Sequence, residues 1–315
     1  MTGAAGMIAD SPMRARLSEI AVGKVLFDEP MSSHTSMGVG GKADALVFPD
    51  TDGELRDLVT FFRKEGIAFL PVGNGTNLIV KDGGYRGALV SLERLRKLEI
   101  AGVEESGDVL VHAQAGVSCP GLVDFALRES LTGIEFCAGI PGSVGGGVRM
   151  NAGAWGREVK DVISSVTILD AGGRIGDMPR KDLLFEYRNL DLPAGAIITG
   201  ATFRLAKGNS AAIRERISGI TEKRKERHPL TFRSAGSVFK NPPGNTAGKM
   251  IEEAGLKGLR IGGAEISDKH ANFIVNRGGA TAADVIALID EVRKRVLSAR
   301  GILLEPELKI IGDEE

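Results

Sequence analysis

Glycine fills 43 of the 315 positions, roughly twice its usual share. It is gathered in short loops between apolar runs rather than spread through the chain. Backbone shapes open mainly to glycine serve tight turns or a close approach of main chain to ligand, so the fold has to accommodate these loops. The first is Pro71-Val72-Gly73-Asn74-Gly75-Thr76-Asn77-Leu78-Ile79-Val80. A dinucleotide fingerprint wants a third glycine opening a helix and an acidic residue about 20 positions later. Leu78 stands where that glycine belongs, and the apolar run after it reads as a strand. What remains is a turn with exposed N–H groups, flanked by Asn74, Thr76 and Asn77 as side-chain hydrogen-bonders. Such a turn serves a phosphate or pyrophosphate, or the chain reversal alone. The second loop is Gly139-Ile140-Pro141-Gly142-Ser143-Val144-Gly145-Gly146-Gly147, followed by Met150-Asn151-Ala152-Gly153-Ala154. Its small residues suit a segment lying against an extended ligand, or a tight packing crossing. Together the loops point to a pyrophosphate-bearing cofactor gripped mainly by backbone.

The rest of the composition is ordinary. Apolar residues make up 43% and charged residues 26%, enough for a normal core and for two or three domains. Forty basic residues against 41 acidic ones leave a net charge of −1, which argues against general nucleic-acid binding. Cys119 and Cys137 fit no metal spacing and read as core residues, so no metal is expected. The first residues lack a basic start followed by an apolar stretch. No run approaches about 18 apolar residues, so no membrane insertion is expected. The expectation is a soluble, cytoplasmic chain.

Periodicity predicts an irregular start and a short helix around Pro12 to Val22. A strand Ala45–Phe48, a helix Thr51–Glu65 and a strand Ala68–Val72 follow. Further strands are expected at Ala88–Leu92, Val109–Ala113, Val162–Leu169 and Ile197–Leu205. A helix Gly121–Glu129 and a long glycine-rich loop Gly139–Gly156 lie among them. The last third predicts helices Ala211–Arg227, Thr246–Ala254 and Ala282–Ser298, with strands around Ser237–Lys240, Asn272–Asn276 and Pro306–Ile311. The absence of a regular β-α-β rhythm suggests α+β.

At this point the chain resembles the UDP-N-acetylenolpyruvoylglucosamine reductases. The likeness runs from His34-Thr35-Ser36-Met37-Gly38-Val39-Gly40-Gly41 to Leu304-Glu305-Pro306-Glu307-Leu308-Lys309. It is carried by both glycine loops, Tyr187-Arg188, Gly236-Ser237-Val238-Phe239-Lys240-Asn241-Pro242 and Ala254-Gly255-Leu256-Lys257-Gly258. The resemblance implies an FAD-binding domain of the vanillyl-alcohol-oxidase type in two subdomains, residues 1–87 and 88–208. A C-terminal α+β substrate-binding domain, residues 209–315, completes it. The short interval from Arg188 to Ser237 resembles the compact subgroup without a tyrosine-bearing insertion. Leu190, Trp155, Gly147 and Lys309 stand where the family commonly has serine, tyrosine, alanine and arginine. The first and last bear on substrate contacts.

The implied reaction takes hydride from NADPH through non-covalent FAD to the enolpyruvyl double bond of a UDP-sugar, giving UDP-N-acetylmuramate for cell-wall synthesis. No protein partner is implied. Charge then develops beside the substrate carboxylate, and pre-aimed cations or donors are the efficient remedy. By resemblance Arg188 and Glu307 flank that carboxylate and Ser237 donates the completing proton. Arginine suits the task because it is always charged and grips carboxylates through two N–H groups. A serine hydroxyl can protonate a strongly basic carbanion in a dry site. Glu307 would act protonated, or through the serine or a water. FAD contacts are expected from Gly73, Asn74, Gly75, Thr76, Asn77, Gly139, Ile140, Pro141, Gly142, Ser143, Gly145, Gly146, Asn151, Ala152 and Gly153. Substrate contacts are expected from Tyr187, Lys225, Lys240, Asn241 and Glu252, with Lys225 favoured within the run Lys223-Arg224-Lys225 for the pyrophosphate. His34 and His270 receive no role. Two alternatives are a flavin-dependent sugar or alcohol oxidase or dehydrogenase, and a non-catalytic UDP-sugar-binding module. The first is disfavoured because no histidine or cysteine that could tether a flavin stands between Pro71 and Val80.

Overall fold

The computed structural model describes residue 8 and residues 11–314. The expected irregular start lies almost wholly outside them. The chain forms two compact units. One comprises residues up to Leu26, Ala45–Asn74 and Gly87–Arg224; the other comprises Phe27–Asp44, Gly75–Arg86 and the residues from Lys225 onward.

In the first unit an antiparallel sheet runs in the order Ile175–Pro179, Ile163–Leu169, Ile197–Lys207, Val109–Gln114, Leu98–Val103. Val109, Val111 and Ala113 are buried while the residues between them are half-buried, so period-two alternation decides which face packs. Helix Cys119–Arg128 covers that face through Leu122, Val123 and Ala126. Its N-cap is Ser118, whose hydroxyl accepts from Gly121 N at 3.0 Å. A parallel pair, Phe69–Val72 with Tyr85–Ser91, sets Val72 opposite Ser91 and delivers the chain to Gly73.

The second unit has its own sheet, ordered Arg233–Ser237, Phe273–Asn276, Ala264–Ile266, Arg260–Ile261. Helices Ala247–Glu253 and Ala282–Arg300 share its core with Phe239, Ile266 and Ile274. The longer helix buries Val285, Leu288, Ile289, Val292 and Val296, a spacing that fits one helical face. It begins with a Thr281–Asp284 capping box and ends at Gly301 with φ +68°.

The α+β class holds. Three local expectations need correction. The stretch Gly139–Gly156, expected as a long glycine-rich loop, contains helix Val144–Arg149 and strand Gly153–Ala154. The strand expected around Ser237–Lys240 lies at Arg233–Ser237. The last strand is shorter than expected, Lys309–Ile311. Among the described residues no helix is long and apolar enough to cross a membrane, and no group of His, Cys, Asp and Glu could hold a metal.

Candidate active site

The two glycine loops meet within the first unit. A Cβ at Gly73 would lie 2.7 Å from Ser143 Oγ, so only a residue without a side chain fits there undisturbed. The second loop is pinned from behind. Ser143 bridges Ser118, and Val144 N and Gly145 N donate to the carbonyls of Val117 and Ala115 at 2.8 and 2.9 Å. Gly145 is buried, and a Cβ there would stand 2.8 Å from the Ala115 methyl. Its lack of a side chain serves packing. Gly139, Pro141 and Gly146 form the exposed edge. The N–H groups of Gly73, Asn74, Gly139 and Gly142 donate to no group among the described residues.

Helix Ser210–Arg227 braces the same loop. Arg216 donates twice to Glu135 Oε1, at 2.8 and 3.1 Å, and Thr132 and Gly133 donate to that carboxylate at 2.7 Å each. Burial alone would raise the Glu135 carboxyl, but these donors hold it below its usual value. One turn before the helix ends, Arg224 packs on Gly139. A Cβ there would lie 2.8 Å from Arg224 Cδ. Arg224 Nε is buried and has no partner among the described residues, and burial lowers the pKa of its guanidinium. A buried cation with an unmet donor is costly and is relieved by an anionic oxygen. Unengaged backbone N–H groups, a cradle that side chains would fill and an unmet guanidinium donor together fit a pyrophosphate. Arg224, which the sequence reading did not single out for the cofactor, is the member of the basic run that lies against this loop.

Gly139 has φ +71°, so Gly139→Ala would carry a left-handed cost of about 1–2 kcal/mol besides displacing Arg224. The expected result is a folded protein whose affinity for FAD falls about tenfold or more, read as flavin absorbance per protein after purification. Unchanged flavin content would contradict the cradle.

Arg188 also lies in the first unit, at the tip of a hairpin formed by Leu184–Glu186 and Asn189–Asp191. Its guanidinium stands 4.9 Å from the Tyr187 ring centroid and donates to Gly153 O at 3.3 Å. Asn151 is fully buried. Its Nδ2 donates to Glu158 and to Glu186 O, and its Oδ1 accepts from Lys160 N. Its side chain is thus engaged by protein, and its backbone N donates to Val148 O at 3.0 Å. Ala152 and Gly153 follow it, half-buried, where the chain enters the next hairpin. Leu190, where the family commonly has serine, is wholly buried in this unit's core and therefore packs.

The second unit joins the segment that follows Ser237 to the segment that carries Glu307. Ser237 ends its strand opposite Phe273. Beyond it, Glu307 N donates to Val238 O at 2.7 Å, Phe239 bridges Pro306, and Lys240 N donates to Glu305 O at 2.9 Å. Asn272 locks this segment, accepting from Phe239 N at 3.0 Å and donating to Phe239 O at 2.8 Å. Asn77 Nδ2 donates to Glu307 O at 3.1 Å, while strand Leu78–Val80 pairs in parallel with Lys309–Ile311. The end of the first glycine loop therefore anchors the backbone of Glu307. Within that loop Gly75 has φ +63°, and a Cβ there would collide with His34 O. Thr76 joins it to Asn77.

The expected substrate contacts fare differently. Lys240 pairs with Glu305 at 2.5 Å and Glu252 with Lys257 at 2.7 Å. Asn241 Oδ1 accepts from Ala247 N at 3.0 Å, at the start of helix Ala247–Glu253. Lys225 lines a cavity of about 330 Å³ with Phe232, Lys269 and Arg277.

Comparison with known proteins adds a second line. An FAD binding domain profile matches residues 43–178, and the profile described as "UDP-N-acetylenolpyruvoylglucosamine reductase, C-terminal domain" matches residues 228–311. The chain is 52% identical over 308 residues to the UDP-N-acetylenolpyruvoylglucosamine reductase of Syntrophus aciditrophicus (strain SB), covering 98% of each chain. It is 44% identical over 291 residues to the protein of that name from Geobacillus kaustophilus (strain HTA426), covering 92% of this chain and 94% of the other. Among solved structures it matches UDP-N-acetylenolpyruvylglucosamine reductase (MurB) from Thermus caldophilus with a TM-score of 0.77 and 34% identity. That match covers 91% of this chain and 98% of the other.

Proposed function

The chain belongs to the UDP-N-acetylenolpyruvoylglucosamine reductase family, and from that premise we propose that it reduces UDP-N-acetylglucosamine enolpyruvate to UDP-N-acetylmuramate at the expense of NADPH. The observation that supports the reading is the pairing of Glu305–Glu307 with Val238–Lys240, which joins the segment after Ser237 to the segment of Glu307 through backbone bonds. FAD, when bound, would supply the hydride chemistry that links NADPH to the enolpyruvyl double bond.

The chain's own residues have the remaining work. Negative charge gathers on the carbon next to the carboxylate, and Arg188 binds that carboxylate so that the charge is stabilised as it forms. The Ser237 hydroxyl gives its proton to that carbon. Glu307 returns the proton to the serine or orders a water that does so. The backbone of Gly73–Asn77 and Gly139–Gly146, with Ile140, Pro141, Ser143 and the segment Asn151–Gly153, would hold FAD, and Arg224 would meet its pyrophosphate. Lys225 on its cavity receives the diphosphate of the UDP-sugar, with Tyr187, Lys240, Asn241 and Glu252 as further substrate contacts. In this assignment residues 1–87 and 88–208 are the two FAD-binding subdomains and residues 209–315 the substrate-binding domain. The reading extends to a cytoplasmic enzyme of cell-wall precursor synthesis that works without a protein partner.

The test is NADPH oxidation by the purified, FAD-loaded protein. Oxidation should need the enolpyruvyl sugar and yield one UDP-N-acetylmuramate per NADPH. Oxidation that ignores the sugar, or reduction of oxygen in its place, would favour an oxidase.

A further inference from the structure

Three of the five non-glycine residues with positive φ among the described residues fall in one part of the first unit: Asn151 at +42°, Trp155 at +57° and Arg188 at +58°. Strain of this kind costs about 1–3 kcal/mol at each position and persists where the surroundings over-determine it. Arg188 is the second residue of a two-residue turn, with Glu186 facing Asn189 across it, a place glycine or asparagine ordinarily takes. Trp155 and Gly156 form the neighbouring tip, between Gly153–Ala154 and Arg157–Glu158. Both hairpins are tied to one side chain. Glu158 Oε1 faces Arg188 NH1 at 3.8 Å, and its Oε2 accepts from Asn151 Nδ2 at 3.1 Å and pairs with Lys160 Nζ at 2.6 Å. Asn151 Nδ2 also donates to Glu186 O at 2.9 Å, just before the Arg188 turn.

We propose that Glu158 is a positioning residue that aims the Arg188 guanidinium at the substrate carboxylate; the inference rests on Arg188 being the group that binds that carboxylate. An arginine side chain carries about 2 kcal/mol of rotamer entropy, and an unaimed guanidinium would sacrifice that freedom only as substrate arrives. Here Glu158 draws one NH2 group of the fork and Gly153 O accepts from the other. At 3.8 Å the carboxylate attracts the cation without the close two-bond pairing that would rival an incoming substrate. Lys160 and Asn151 fix Glu158 in turn through its other oxygen, and its side chain also accepts from Asp161 N in a capping box, so its reach toward Arg188 is set by its surroundings.

The experiment compares the FAD-loaded wild type with Glu158→Gln, Arg188→Ala and the double variant. Glutamine keeps the length and an acceptor oxygen while removing the charge. The readouts are flavin reduction by NADPH, flavin reoxidation by the enolpyruvyl sugar with its concentration dependence, and the thermal midpoint. Glu158→Gln should raise the sugar's apparent KM about tenfold, with flavin reduction and midpoint unchanged. In the Arg188→Ala background the same change should add almost nothing, because the group to be aimed has gone. Glu158→Asp, which keeps the charge but draws it back, should fall between. Penalties that multiply in the double variant, an unchanged KM in Glu158→Gln, or a parallel loss of both half-reactions with the midpoint would each overturn the proposal. An Arg188→Ala enzyme that reoxidises normally would sink the reading of Arg188 itself, and this inference with it. Arg188 failing while Glu158→Gln behaves as wild type would sink this inference alone.

Discussion

Ser237→Ala is expected to slow reduction of the enolpyruvyl sugar by about 10²–10⁴-fold, the usual worth of a positioned proton donor, while NADPH still bleaches the bound flavin at the wild-type rate. The two halves should separate because the hydroxyl is required only once charge develops on the substrate carbon. Loss of the hydroxyl should leave the backbone unmoved. Val238 N donates to Asn272 O at 2.9 Å and Glu307 N to Val238 O at 2.7 Å, and neither bond uses the serine side chain. Rapid mixing of the pre-reduced variant with the sugar measures the effect directly. Reoxidation at the wild-type rate would remove Ser237 from the chemistry.

Arg188 should give the other large effect. Arg188→Ala is expected to lower the oxidative half-reaction by about 10²–10³-fold, as removal of a preorganised charge-stabilising donor does elsewhere. Arg188→Lys should recover little, since lysine keeps the charge but not the two-pronged grip. Arg188→Gly separates function from fold more sharply. The position has φ +58°, so glycine would relieve a backbone cost of about 1–2 kcal/mol while forfeiting the contacts to Gly153 O and Glu158. A variant as stable as the wild type yet as slow as Arg188→Ala is the expected outcome, measured by thermal unfolding beside the half-reaction rates. A fast Arg188→Gly enzyme would mean that the residue serves only the turn.

Much of this was legible in the sequence because glycine requirements are local. Gly73 and Gly139 announce themselves by composition, and the structure supplies the reasons: Ser143 Oγ lies against one position and Arg224 against the other. The long helices were legible for a similar reason, since Val285 to Val296 repeat with helical spacing. The helix Val144–Arg149 was not, because three consecutive glycines carry almost no helix propensity. Backbone bonds at its start to Val117 and Ala115, distant in sequence, hold it in place. The Ser237 strand was displaced in the expectation because Val238, Phe239 and Lys240 look like strand residues, yet they run beside Glu305–Glu307 rather than continue the sheet. Glu158 gave no local signal. It is one acidic residue among 41 acidic side chains, and only the folded hairpins bring Asn151, Lys160 and Arg188 to it. Arg224 was visible as part of a basic run, but its buried Nε and its place over Gly139 depend on the packing of helix Ser210–Arg227.

The most direct measurement of the central claim is a spectral cycle on the purified protein under exclusion of oxygen. One equivalent of NADPH should bleach the flavin absorbance, and one equivalent of UDP-N-acetylglucosamine enolpyruvate should restore it with UDP-N-acetylmuramate as the product. A colourless protein that takes up no FAD, or a bleached flavin that the enolpyruvyl sugar leaves reduced, would contradict it.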